Sequence, residues 1–285
     1  MDKVLPGWFS EISSFWPGQA ISLEVEEMLF EGRSDFQDIK VFKSKAWGTV
    51  FTLDGAIQVC DKDEFSYHEN IAHIPLFSHP EPKQVLIIGG GDGGAMREVL
   101  KHESVQKCTL CDVDKMVPEI SRKYFPKLSC AFDDPRADVI IGDGFKHLED
   151  KNDCYDVIIV DSSDPDGPAS TLFGEEFFSR CKRALHADGI LVTQAENMWI
   201  HLDLISEMKE FIEKIGWASV EYANISIPSY PSGCIGFFVC SKKGSCAEPV
   251  RPIPSAWGPA LRYYDDTMHR AAFMLPRFVR NKLRL

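Results

Sequence analysis

The chain has 285 residues, 44% of them hydrophobic and 11% aromatic, which suits a globular protein with one large α/β domain and a smaller companion. Its formal net charge of −12 argues against a nucleic-acid footprint, which needs a basic patch, and is compatible with cationic substrates. No stretch reaches the ~18 apolar residues of a membrane span, nothing reads as a signal peptide, and nine scattered cysteines suggest reduced thiols; a cytoplasmic protein with no membrane partner is expected.

In chain order, residues 1–73 read as a β-rich N-terminal domain. Ala20-Ile21-Ser22-Leu23-Glu24-Val25 and Ile39-Lys40-Val41-Phe42 alternate in polarity, and Thr49-Val50-Phe51-Thr52-Leu53 runs into the turn signal Asp54-Gly55. Residues 67–77 look helical and lead to the break His79-Pro80-Glu81-Pro82. The remainder, residues 74–285, reads as a Rossmann-like catalytic domain. Strands are expected at 85–88, 108–112, 138–141, 155–161, 190–194, 219–227 and 235–240, with helices between them, notably at 95–102, 175–185 and 202–215. Such alternation predicts a mostly parallel sheet covered on both faces.

Ligands of such sheets sit beyond the carboxyl ends of the strands, where this sequence concentrates acidic and amide side chains. The strand Val85-Leu86-Ile87-Ile88 enters the loop Gly89-Gly90-Gly91-Asp92-Gly93-Gly94, and the next strand ends at Asp112. Glycine permits the tight turn and close approach of a ligand to the backbone, and a carboxylate at the second strand end can accept both ribose hydroxyls. Asp92 sits where a pyrophosphate would be repelled, so the expected ligand is a nucleoside carrying a cation. Asp143 and Gly144, in Gly142-Asp143-Gly144, offer an acceptor for an adenine amino group and a close backbone contact. Asp161 and Asp164, three residues apart after a very apolar strand, suit the grip of an ammonium group. Gln194 and Glu196 end a further strand, and Tyr230 lies in the connection Tyr230-Pro231-Ser232-Gly233, where it can close over a substrate tail. His68 and His73 are five apart, roughly 140° around a helix, which is not the spacing of a zinc helix; no metal is expected. Cys108 and Cys111 lie in a predicted strand with side chains on opposite faces and read as structural.

Together these motifs resemble the spermidine synthase (putrescine aminopropyltransferase) family over nearly the whole chain. The resemblance starts at Trp8-Phe9 and Trp16-Pro17-Gly18-Gln19-Ala20 and passes through Tyr67, the glycine loop, residues 161–169 and Tyr230-Pro231-Ser232-Gly233. It ends with Tyr263-Tyr264 and His269-Arg270-Ala271-Ala272-Phe273. It implies a methyltransferase-like Rossmann sheet with a small N-terminal β domain, usually in a homodimer. It implies decarboxylated S-adenosylmethionine as donor and putrescine as acceptor, with no metal or redox cofactor. It also implies residue roles. Asp112 would hold the donor ribose, Asp143 and Gly144 the adenine, and Asp92 with His68 the donor amine, with Gln37 nearby. Asp161 would be the general base, and Tyr67, Asp164, Gln194, Glu196 and Tyr230 would bind the diamine beside a wall formed by Trp16. His68 departs from the glutamine of many relatives and Ser229 from a common threonine. A diamine N-methyltransferase, a silent polyamine-binding subunit and a dinucleotide oxidoreductase are the competing readings; Asp92 speaks against the first and the last.

Overall fold

In the computed structural model, whose described residues are 5–163 and 172–285, two sheets divide the chain. The first is an antiparallel meander of β1 (Trp8–Glu11), β2 (Ile21–Arg33), β3 (Asp38–Ser44), β4 (Gly48–Leu53) and β5 (Ala56–Cys60), paired in chain order. Asp54 and Gly55 both take positive φ, 48° and 83°, and close the β4–β5 hairpin as the sequence suggests. Strand β2 runs eight residues beyond Val25, where the alternation read from the sequence stops. Its pairing with β3 slips at Val25/Glu27 and again at Met28/Phe30; each bulge inserts a residue and resets the inside–outside order.

Helix α1 (Glu64–Ser78) follows. Every residue from Ser66 to Phe77 is buried, so no polar stripe marks its solvent face. The second sheet contains β6 (Gln84–Gly89), β7 (Lys107–Asp112), β8 (Ala137–Ile141), β9 (Tyr155–Asp161), β10 (Leu185–Gln194), β11 (Ser219–Ser226) and β12 (Cys234–Ser241), in the order β11-β12-β10-β9-β6-β7-β8. Strands β6 to β10 are parallel, and β12 runs antiparallel to both β10 and β11. Helices α2 (Gly94–Val99), α3 (Met116–Tyr124), α4 (Gly144–His147), α5 (Glu175–Ala184) and α6 (Leu202–Lys214) connect the strands, and α7 (Asp266–Ala272) and α8 (Arg277–Leu283) complete the chain.

The central strands are apolar on both faces because both are covered. Val85 and Ile87 pack with Ile71 of α1 and Met96 of α2, while Leu86 and Ile88 belong to the core under Phe177, Phe178 and Ile205. A third apolar cluster joins the sheets: Ile39, Val41, Phe51 and Val59 meet Val117 and Ile120 of α3 and Phe125. Burying each such aliphatic side chain stabilises by about 1.5–3 kcal/mol, so the N-terminal sheet is held by packing as well as by the chain. The chain steps outward from β6 through β7 to β8, then crosses back to place β9 on the other side of β6. This switch point, with Gly89 in register with Asp161, is where a parallel sheet opens a crevice. No helix among the described residues is long and apolar enough to cross a membrane.

Candidate active site

Strand β9 delivers Asp161 to the switch point. Gly89 lets β6 pass against it: with φ +78°, a Cβ there would collide with the Asp161 carbonyl, and Gly90 N–H instead donates to that carbonyl at 2.8 Å. Tyr67 of α1 donates its hydroxyl to Asp161 Oδ1 at 2.8 Å. Oδ2 is enclosed and has no hydrogen-bond partner among the described residues. Enclosure raises the Asp161 pKa to about 7; Asp92 adds to the rise, and His68 and the Tyr67 hydroxyl oppose it.

The glycine loop carries Asp92 to the same opening. Its Oδ1 accepts from Gly94 N–H at 2.6 Å and lies 3.2 Å from His68 Nε2. The other ring nitrogen of His68, Nδ1, lies 2.7 Å from Glu64 Oε2, one helical turn earlier. Burial alone would strip His68 of its second proton, yet Asp92 and Glu64 outweigh it and push its pKa to about 10. Glu64 is itself desolvated, but His68 and Arg97 pull it down to about 2. His68, Asp92 and Asp161 each place one atom within 4.8 Å of the others. His68 faces a carboxylate from each ring nitrogen, so the group can hold itself together as ion pairs.

Asp112 ends β7, with Oδ2 accepting from Gly91 N–H at 3.0 Å and Oδ1 from Asp114 N–H at 2.8 Å. A Cβ on Gly91 would stand 2.5 Å from Oδ2, so glycine is needed for the loop to lie on the carboxylate. Burial raises the Asp112 pKa to about 6 against those two backbone donors. Gln37 reaches in from the N-terminal domain and donates through Nε2 to Asp114 Oδ2 at 2.8 Å, which Ser34 Oγ also approaches at 2.6 Å. Asp143 caps α4, its Oδ1 accepting from Phe145 N–H at 2.9 Å, and Gly144 packs against Ile88 with no room for a Cβ.

At the other end, Gln194 closes β10 and Glu196 follows, buried, with φ +57°. Its carbonyl accepts from Gly236 N–H and from the Tyr222 hydroxyl, both at 2.9 Å, which holds this left-handed backbone in place. Glu196 Oε2 also lies 3.3 Å from His201 Nδ1. Tyr230 donates to the Gln58 carbonyl at 2.8 Å and so bridges to the N-terminal sheet. Trp16 is buried, next to Phe15, whose ring stacks 4.3 Å from His201.

These side chains surround one cavity of about 530 Å³. Gln37, Tyr67, His68, Asp92, Asp112, Asp143, Gly144, Asp161, Gln194, Glu196 and Tyr230 all line it, whereas Asp164 lies outside the described residues. Of its described lining residues seven are Asp or Glu and none is Lys or Arg, a field that attracts cations. Sequence reading missed Glu11 and Asp35 in the lining, and Glu64, Asp114 and His201 as partners of site residues. Glu64 had a signal in its four-residue spacing from His68, and Asp114 in its place two residues after a strand-end aspartate. Glu11, on a short strand far away in sequence, had none.

Residues 64–249 match the spermine/spermidine synthase domain and residues 7–61 the spermidine synthase tetramerisation domain. The chain belongs to the spermidine synthase family. It is 50% identical to a spermidine synthase of Dictyostelium discoideum over 285 residues, all of both chains. A crystal structure of a spermidine synthase in complex with the transition state analogue AdoDATO superimposes with a TM-score of 0.90 at 38% identity, covering 97% of this chain and 94% of that one. The spermidine synthase of Thermotoga maritima gives 0.88 at the same identity and coverage. The α/β architecture with a small N-terminal β domain expected from the sequence is the architecture observed.

Proposed function

We propose that this chain transfers the aminopropyl group of decarboxylated S-adenosylmethionine to putrescine, giving spermidine and 5′-methylthioadenosine. The observation that carries the reading is the shared cavity: the carboxylates Asp112 and Asp92 and the enclosed Asp161, whose pKa is raised, open into one anionic space. The donor ribose would lie on Asp112, its adenine against Asp143 and Gly144, and Gln37 would bound it from the N-terminal sheet. Both His68 nitrogens already face carboxylates, so the donor ammonium would find its acceptor in Asp92, with His68 behind it. The diamine would extend from Asp161 past Tyr67 and Tyr230 toward Gln194 and Glu196, with Trp16 as a wall and Asp164 as a further ligand.

An alkyl ammonium, with pKa ~10.4 like lysine, must lose a proton before it can attack. An ordinary aspartate near ~3.9 is a weak base for it, whereas Asp161 at about 7 is better matched. Tyr67 fixes Oδ1 and leaves Oδ2 for the proton. The amine lone pair then forms the new C–N bond as the C–S bond breaks, and its electron pair stays on sulfur, which leaves as a neutral thioether. Positive charge moves from sulfur to nitrogen, so a carboxylate beside that nitrogen stabilises the transition state more than the ground state. This direct displacement calls for no metal or redox cofactor.

We place the protein in the cytoplasm, which nine free cysteines support, and we read it as a homodimer, for which the matched tetramerisation domain gives the coarser support of self-association. The deciding experiment is mass-spectrometric product analysis of purified protein with both sulfonium donors and with putrescine, cadaverine or spermidine. Spermidine and 5′-methylthioadenosine from the decarboxylated donor and putrescine are expected; methylated diamine as the main product would overturn the reading.

A further inference from the structure

Both nitrogens of the buried His68 ring face carboxylate oxygens, Nδ1 at 2.7 Å from Glu64 and Nε2 at 3.2 Å from Asp92. An imidazole with a single proton would turn a lone pair on one of these anions; an imidazolium donates to both. Glu64 does not relieve the conflict by taking the proton, because Arg97 grips it with Nη1 at 3.2 Å and Nη2 at 2.9 Å. Arg97 is fixed in turn by Nε, which donates to the buried Glu98 at 2.7 Å. Sequence builds this from one helical offset and one neighbouring helix: Glu64 and His68 sit one turn apart on α1, and Arg97 sits in the last turn of α2.

The groups that face Asp161 are Tyr67 from α1, Asp92 from the glycine loop, Asp112 from β7 and His68. Two are anions, one is a neutral donor, and His68 is the cation among them.

We propose that Glu64 and Arg97 are positioning residues for the transfer: they fix His68 as a cation between two carboxylates, and that cation keeps Asp161 ionised despite Asp92 and Asp112. The catalytic meaning of this relay rests on Asp161 being the proton acceptor, but the relay can be measured without turnover. Removing an opposite charge at this range raises a carboxyl's pKa by about 1–3. The protonated fraction of Asp161 near neutral pH would then climb.

The test is carbon-detected NMR of substrate-free protein labelled at aspartate carboxyl and histidine ring carbons, with Asp161→Asn and His68→Gln assigning the two signals. In the wild type, the expected result is that His68 keeps its second proton well above its ordinary pKa and Asp161 titrates well above an ordinary aspartate. In Glu64→Gln, His68 loses its second proton at lower pH and the Asp161 midpoint rises by about one pH unit or more. His68→Gln, which leaves the Glu64–Arg97 pair in place, gives a similar rise, and the double variant adds nothing to it. An Asp161 midpoint unmoved by His68→Gln, or moved by His68→Gln but not by Glu64→Gln, overturns the proposal, and if Glu64→Gln does not fold, Arg97→Gln takes its place. Turnover separates the two readings. The acid limb of kcat moves in Glu64→Gln in step with the NMR midpoint. If Asp161→Asn keeps the wild-type limb, the base assignment fails and NMR still decides the relay. If Asp161→Asn loses the limb while Glu64→Gln leaves it in place, the relay alone fails.

Discussion

Tyr67 donates its hydroxyl to Asp161 across 2.8 Å, joining the first helix to the strand end at the centre of the larger sheet. The bond occupies one carboxylate oxygen and leaves the other without a partner among the described residues, free for the proton if Asp161 is the base proposed above. Asp161→Asn keeps the shape and the tyrosine contact but has no base. Its kcat/KM should fall by about 10²–10⁴-fold, and the acid limb expected near pH 7 should vanish. Steady-state rates from pH 5.5 to 9 check both; an unchanged limb would remove Asp161 from the proton transfer.

With the donor amine on Asp92 as proposed, this residue should govern donor choice. The carboxylate tail of ordinary S-adenosylmethionine would meet a like charge there, whereas the decarboxylated donor brings only an ammonium. Asp92→Asn should lower the preference for the decarboxylated donor at least about tenfold, the order of one lost charge contact. Competition between the two donors measures it, and an unaltered ratio of kcat/KM values would refute it.

Gly91 lies against Asp112 without a positive φ, so Gly91→Ala tests close approach apart from backbone strain. The added methyl must displace Oδ2 from its 2.5 Å neighbour position. Calorimetry should show 5′-methylthioadenosine binding weakened by about tenfold or more, the scale of one lost charged hydrogen bond, with a lower melting temperature, because the methyl also crowds Val117.

His68 predicts a pH dependence of stability. Its folded pKa of about 10 lies above the ordinary 6.5, so its stabilisation is fully present below 6.5 and is lost as pH rises through about 10. Within that window the loss is at most ~1.4 kcal/mol per pH unit. Urea unfolding at pH 7, 8 and 9 should therefore show the gap between wild type and His68→Gln narrowing as pH rises; a constant gap would mean that His68 is not charged in the fold.

Asp114 accepts from both Ser34 and Gln37, which fastens the β2–β3 turn to the larger sheet. Asp114→Ala should cost about 1–3 kcal/mol through the partners it leaves unpaired and should raise the KM of the donor more than that of the acceptor. Equal effects on both would place the contact outside the donor end.

How much of this was legible in the sequence depends on whether a rule of local spacing applied. Strand ends could be read because β6 and β9 are largely apolar runs with abrupt stops; Asp112 and Asp161 end β7 and β9, and Asp92 and Asp143 follow closely after β6 and β8. The full length of β2 could not, since its bulges break the period. The predicted helix at 95–102 ends at Val99, as the chain turns through Leu100 and His102 with short-range bonds. The raised pKa of His68 was hidden because its strongest upward push comes from Asp92 of the glycine loop, which only the fold brings against α1. The contribution of Glu11 was hidden for the same kind of reason: only the packing of one sheet against the other brings it to the cavity.

The roof and floor of the cavity come from different sheets, pinned by Gln37 on Asp114 and by Tyr230 on Gln58. Deleting the N-terminal meander would therefore not leave a smaller working enzyme. The nucleoside ledge would survive on the remaining strand ends, but the vestibule for the amine would lie open to bulk water. A sulfonium held there would be an unguarded alkylating agent.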